Sequence, residues 1–214
     1  MAGRRPTPRQ GARRETPRAA RGHERLVRWY RVVPVALLAL TLLLVGVVAA
    51  NPTGLGRALH PVRHAEAIEA SCERHGVDPL LACAVIKCES DWDEDAHSAA
   101  GAVGLMQLMP QTSESLSALG VVDAGRWDPE DLTDPEVNIE YGVACLGYLQ
   151  GQLSSTDEVV AAYNAGIGTV QGWLAEGGSI PEDVEYAETR AYLENVRRAY
   201  EGYRQSYPNG ITGD

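Results

Sequence analysis

Two rhythms of hydrophobic and polar positions run along this chain. From Val32 to Ala50 the stretch VVPVALLALTLLLVGVVAA holds nineteen residues without a charge, about 28 Å of helix, close to the thickness of a bilayer's hydrocarbon core. That run predicts a single N-terminal transmembrane helix over 32–50. Beyond His64 the pattern changes, and apolar residues recur at intervals of three and four. Helices are expected over 64–75, 79–90, 110–119, 135–152, 156–165, 167–175 and 183–206, each opened by Pro, Thr, Asp or Gly or closed by Gly. Asp78 caps and Pro79 starts the second of these, and Leu80, Leu81, Ala84, Val85 and Cys88 give it a face to bury. No comparable strand alternation appears, so the fold class is all-α. Two long loops rich in Gly, Ala and Asp, 91–109 and 120–134, interrupt the helices, and loops of that length inside a domain often carry function.

The division of the chain follows from these rhythms. Residues 1–31 are rich in Arg, Pro, Gly and Ala, lack apolar periodicity, and are expected to be a disordered cytoplasmic tail. Next come the span 32–50, a linker 51–63, a helical domain 64–207 and a tail 208–214. With basic residues before the span, the positive-inside rule places everything after it outside the cytoplasm. The competing reading is a signal peptide cleaved after Val48-Ala49-Ala50, releasing a secreted protein. The length of the apolar run and of the segment before it favour an uncleaved anchor.

Charge narrows the partners. Ten of the 19 basic residues but only two of the 29 acidic ones lie at or before Arg31, leaving nine basic and 27 acidic residues beyond it, net −18. So acidic a domain repels phosphate backbones, and nucleic acid is excluded as a partner. All four cysteines, Cys72, Cys83, Cys88 and Cys145, follow the span, where oxidation is permitted, and an even count suggests two disulfides. Three pairings exist. An antiparallel pair of helices 64–75 and 79–90 would set Cys72 level with Cys83 and leave Cys88 to Cys145. Zinc is the competing use, but the spacings lack close CxxC knuckles, and no metal is expected. The DWDED run over 91–95 lacks the Gly and bidentate Glu of a calcium loop.

Chemistry points first to Glu89, at the end of the helix 79–90. The negative end of the helix dipole, burial beside Trp92 and repulsion from Asp91 and Asp93 would all keep its carboxyl protonated, as a general acid requires. By itself a Glu near a helix end is most often a solvated residue. The segment from Ser98 to Pro110, with Gly101 and Gly104, suggests an open groove in which Gln107 presents a donor and an acceptor to a sugar. Ser90 either orients Glu89 or caps the helix end. Tyr163-Asn164, closing the helix 156–165, pairs an aromatic face with an amide, suited to a sugar ring.

Taken together, Val85-Ile86-Lys87-Cys88-Glu89-Ser90, Gly104-Leu105-Met106-Gln107-Leu108-Met109-Pro110 and Ala162-Tyr163-Asn164-Ala165-Gly166 resemble the soluble-lytic-transglycosylase (SLT) domain, a relative of goose-type lysozyme. Asn138-Ile139 with Gly142, and Glu188-Thr189-Arg190 with Tyr192, are similar to further motifs of that family, in the same order. The likeness covers roughly 64–205. It implies a lysozyme-like helical fold and cleavage of peptidoglycan between N-acetylmuramic acid and N-acetylglucosamine, leaving 1,6-anhydro ends. Glu89 would be catalytic, with Ser90, Met106, Gln107, Tyr163, Asn164, Glu188 and Tyr192 at the substrate, and Tyr192 bonded to Glu89. Cys88, Trp92 and Asp93 depart from the commoner Gln, Phe and Asn. No cofactor is implied, and the expected partners are peptidoglycan glycan strands and, through 32–50, a membrane. Alternatives are a hydrolytic muramidase, drawing a second carboxylate from Asp91, Asp93, Asp95 or Asp123, or a non-catalytic peptidoglycan-binding domain.

Overall fold

The computed structural model describes the backbone of residues 20–50 and 52–213, with side chains for 29–30, 32–47 and 54–213. It is helical throughout, its extended contacts among the described residues being isolated bridges that join Val103 to His97 and to Leu108. Two compact units divide the chain, Met1–Ala50 and Asn51–Asp214.

The first unit contains α1, Ala20–Ala50, with Pro34 in its interior. The helix begins twelve residues before the apolar run, so 20–31 is helical where a disordered tail was expected, while 1–19 lie outside the described residues. Its described apolar side chains, including Leu37, Leu40, Leu43 and Val47, are exposed. Among the described residues no helix is long and apolar enough to cross a membrane. The membrane span expected over 32–50 is thus not borne out among the described residues.

In the second unit the helices are α2 (Pro52–Leu59), α3 (Ala65–His75), α4 (Pro79–Glu89), α5 (Pro110–Ala118), α6 (Pro135–Gln150), α7 (Thr156–Ala165), α8 (Ile167–Ala175) and α9 (Ala187–Ser206). Those after α2 coincide with the expected segments to within a few residues. Their starts are set by local chemistry. Asp78 Oδ1 accepts from the Leu80 N–H at 2.8 Å, Asp134 Oδ1 from Glu136 at 2.8 Å, and Ser155 Oγ from Glu158 at 3.2 Å. Glu158 answers by accepting from the Ser154 N–H, closing a reciprocal cap.

Two helices form the centre. Every side chain of α4 from Leu81 to Ile86 is buried, as is every residue of α6 from Val137 to Ala144. A helix apolar all round survives in water only when enclosed. Here α3 and α9 cover α4, while α3, α5 and α7 cover α6. Glu89 thus ends a helix anchored in the core.

The flanks differ from the sequence reading. The supposed linker 51–63 contains α2, which packs on α9. Arg57 donates to the Gly213 carbonyl at 3.1 Å, and the Tyr203 and Tyr207 hydroxyls donate to Pro61 O and His60 O. Residues 208–213 of the expected tail are likewise held, Ile211 being buried and the Thr212 hydroxyl donating to Glu69 Oε2 at 2.7 Å. Neither segment has the composition of a helix or core piece. Tertiary contacts supply the stability that their Gly and Pro content withholds.

No disulfide forms: all four cysteines are free. Cys72 and Cys83 sit buried as small apolar residues, and burial pushes the Cys72 thiol up to about 12. The other expected pair is separated by the fold. Cys88 lines a pocket with His60 and Arg198, whereas Cys145 lines a groove with Tyr148 and Tyr163.

Candidate active site

Just past the end of α4 the backbone takes an unusual path. Asp91 and Trp92 follow one another at φ 54° and 67°, in the left-handed region that costs L-residues energy. The turn is held on both sides. Trp92 is buried, its indole N–H donating to the Tyr203 hydroxyl at 2.8 Å, and its carbonyl accepts from Arg63 at 3.2 Å. Asp91, outside, pairs with Lys87. This reversal ends the helix at Glu89 and leaves its side chain half-buried at the surface of the core.

The Glu89 carboxyl is raised to about 7. Burial is the cause, opposed by Tyr192, whose hydroxyl donates to Oε1 at 2.6 Å. Asp91 and Asp93, invoked from the sequence, contribute nothing to that rise, and Trp92 points into the core toward Tyr203. Near neutral pH the group therefore exists in both protonation states. The phenols of Tyr192 and Tyr163 are pushed well above their usual range by burial, with the Glu89 charge next in effect on Tyr192. Both remain neutral donors.

Beside this carboxyl the loop 91–109 folds inward. Its glycine-rich segment does not leave a groove through small side chains, as anticipated. Leu105 and Met106 are fully buried and Leu108 nearly so. Asn138, on α6, holds the loop with its whole side chain: Oδ1 accepts from the Met106 N–H at 2.8 Å, and Nδ2 donates to Val103 O and Leu132 O at 2.8 and 2.9 Å. The loop lies so close that a Cβ on Gly104, which has φ 76°, would strike Asn138 Nδ2, and one on Gly142 would strike Met106 Sδ. Both positions thus require glycine.

These contacts relocate several expected substrate residues. Met106, expected in the cleft, is core, because Gly142 admits its side chain against α6. Gln107 lines a groove, but its amide N–H groups are spent on Ala96 O and Gly104 O at 3.1 and 3.0 Å, so the side-chain oxygen alone is left for a ligand. The Ser90 hydroxyl lies 3.3 Å from Ile86 O, a helix-end bond rather than one to Glu89. Tyr163 donates its hydroxyl to Met106 O at 2.8 Å, leaving its ring as the available surface. Asn164 is exposed, and its Oδ1 accepts from the buried Thr189 hydroxyl at 2.8 Å, which turns the amide N–H groups outward. Glu188 is exposed one helical turn before Tyr192.

The groove is a cavity of about 420 Å³ between the end of loop 91–109, α5, α6, α7 and the start of α8, its lining including Gln107, Met109, Thr112, Tyr148 and Tyr163. Glu89 is not in that lining. Tyr163 joins the two, since it walls the groove and feels the Glu89 charge. Among candidate second carboxylates, Asp91 is paired with Lys87, and Asp93 and Asp123 cap the N–H groups of Asp95 and Gly125 on the exposed surface. Among the described residues no cluster of three or more His, Cys, Asp or Glu suited to a metal is found. Asn138 and Thr189 are functional supports that the sequence reading left without a role. Asn138 had a signal, an amide amid the apolar positions of α6 that had to be satisfied once buried.

The transglycosylase SLT domain matches residues 66–184, more than half of the chain. The chain belongs to this family. Among members of the SLT family, the soluble lytic murein transglycosylase of Escherichia coli K12 is 36% identical over 129 residues, 57% of this chain and 20% of that one. The membrane-bound lytic murein transglycosylase C of Edwardsiella ictaluri is 31% identical over 182 residues, 72% of this chain and 49% of that one. In structure, the 70 kDa soluble lytic transglycosylase of E. coli aligns with a TM-score of 0.63 at 31% identity, over 70% of this chain and 25% of that one. An inactive Glu-to-Gln mutant of the lytic transglycosylase Slt from Pseudomonas aeruginosa aligns with a TM-score of 0.60 at 29% identity, over 71% and 25%. The chain thus spans about a fifth of the soluble E. coli relative and about half of the membrane-bound one.

Proposed function

We propose that this protein is a lytic transglycosylase of the cell envelope, cleaving the β-1,4 bond between N-acetylmuramic acid and N-acetylglucosamine in peptidoglycan. The observation that carries the reading is Glu89, a lone half-buried carboxyl raised to about 7 and bonded to Tyr192 at 2.6 Å. Protonated, it hands its proton to the glycosidic oxygen as that bond breaks and positive charge develops on the sugar ring. Tyr192 then stabilises the carboxylate left behind. That carboxylate takes the proton from the muramyl 6-hydroxyl as its oxygen closes on C1, forming the anhydro ring and restoring the acid. An internal nucleophile replaces water, and its proximity replaces the second carboxylate of ordinary glycosidases. The exposed surface positions of Asp91, Asp93, Asp95 and Asp123 support a single-carboxylate scheme.

In this reading the rings of Tyr163 and Tyr148 and the outward amide of Asn164 contact the glycan, with Gln107 offering its oxygen and Glu188 at the rim. The exposed leucines of α1 support attachment to a membrane through 32–50, since such a helix in water leaves unburied about 1.5–3 kcal/mol for each large apolar side chain. The second unit would then face the peptidoglycan.

Incubation of the full chain and its Glu89→Gln variant with isolated sacculi tests the proposal. Solubilisation falling roughly a hundredfold or more in the variant is the expected result. The released muropeptides should be lighter by one water than reducing-end products in mass spectrometry. Equal solubilisation by the two proteins would remove Glu89 from the chemistry, and reducing ends would replace the transglycosylase with a muramidase.

A further inference from the structure

The residues after Arg31 carry a net charge of −18, yet one depression on the second unit gathers cations. A pocket of about 350 Å³ between α2, α4 and α9 is lined by His60, Lys87, Cys88, Tyr192, Asn195 and Arg198, among others. Lys87 and Arg198 come from different helices, and the packing of α4 on α9 brings them to one site. Arg198 makes no ion pair among the described residues, although Glu194 and Glu201 lie one turn away on the same helix. Among the described residues Lys87 pairs with Asp91 alone, which is exposed and easily screened. Asn195 adds an amide donor. Cys88 does not oppose an anion, because burial pushes its thiol up to about 11 and keeps it neutral.

Position makes the pocket more than a basic patch. Its wall includes Tyr192, the residue that bonds Glu89 at 2.6 Å, and Cys88, the residue before Glu89. An anion held there lies one side chain away from the reacting carboxyl. His60 on one side and Asn195 and Arg198 on the other fall outside residues 66–184, the part matched by the SLT family. The pocket is therefore built largely by the end of α2 and by α9.

We infer that this pocket binds a carboxylate of the peptide stem borne by the muramyl residue being cleaved, and so selects strands whose stem carboxylates are free over those in which they are amidated. The inference rests on the proposed action on peptidoglycan. Each muramic acid carries its peptide through a lactyl group on the same sugar ring as the scissile C1, so a stem carboxylate travels close to the acid. A guanidinium without an ion-pair partner among the described residues, an ammonium and an amide provide donors that a carboxylate meets with two charged acceptor oxygens, whereas a carboxamide offers one neutral oxygen and opposes them with its own N–H groups.

The test is binding rather than turnover, so its outcome is separable from that of the sacculus assay. The full chain is titrated calorimetrically with N-acetylmuramyl-L-alanyl-D-glutamate and with the corresponding D-isoglutamine amide, which differ by one carboxylate and contain no bond to cleave. The acid should bind at least about tenfold more tightly. Arg198→Ala, on the exposed side of α9, should erase that preference, Lys87→Gln should reduce it, and Arg198→Lys should retain part of it. Equal affinity for acid and amide, absence of binding by either, or an undiminished preference in Arg198→Ala would overturn the inference. Inorganic phosphate competing as well as the acid would also overturn it, by making the pocket a general anion site.

Discussion

At the scale of single residues, the site turns on two opposed influences on one carboxyl. Burial raises Glu89 to about 7, while Tyr192 lowers it by donating to the charged form. The proposed reaction starts from the protonated form, so activity should fall as pH rises through that value. Replacing Tyr192 with Phe removes the group that favours the carboxylate, and the pKa must rise. The descending limb of kcat/KM against pH should therefore move upward, by roughly one unit for the loss of one charge-assisted bond, with a lower plateau because the carboxylate intermediate loses its donor. A limb that stays in place or moves down would show that Tyr192 does not set the protonation of Glu89. From the sequence, Glu89 and its pairing with Tyr192 were anticipated, the latter through family resemblance. Burial was anticipated as a cause of the raised value, but the expected repulsion was not borne out, because Asp91 turns outward at a left-handed residue while Tyr192 arrives from 103 positions away.

At the scale of elements, the fold is tied by polar clamps between helices as well as by apolar contact. Asn138 fastens the loop 91–109 to α6, and Glu140 fastens α6 to α3. Glu140 is almost wholly buried, with Arg74 donating through Nε at 3.2 Å and Nη2 at 2.5 Å, and His75 Nε2 at 3.0 Å. Burial alone would raise its pKa, but the bonds from His75 and Arg74 prevail and hold it at about 2. A depressed acid stabilises the fold above its unfolded value near 4.5, and that contribution is lost as pH falls toward 2. Glu140→Gln should lower stability at pH 7 by about 3 kcal/mol, since it leaves the Arg74 guanidinium without its counter-charge. Calorimetry from pH 7 down to pH 3 should show the gap between wild type and variant narrowing. A constant gap would assign the loss to packing rather than charge.

At the scale of the whole molecule, an apolar N-terminal helix and an acidic second unit are joined in one chain. If α1 anchors the protein, the full chain should remain with membranes after alkaline carbonate extraction. Placing arginines at Leu42 and Leu43 should release most of it, because each charge in a hydrocarbon core costs roughly 2.5–3.5 kcal/mol. Retention of the doubly substituted protein would assign attachment elsewhere. The sequence by itself determined the helices α3 to α9, through apolar spacing and the caps at Asp78, Asp134 and Ser155, and it singled out Glu89. These are local properties, written in intervals of three and four residues and in side chains that reach their own backbone. Only the tertiary structure decided that α2 and the C-terminal residues join the fold and that Met106 and the Gln107 amide are spent on the loop itself. It also decided that the four cysteines stay thiols, and that Lys87 and Arg198 share a pocket beside Tyr192. Each of those depends on partners distant in sequence, brought together by the burial of α4 and α6, a cooperative property of the folded unit that no local pattern records.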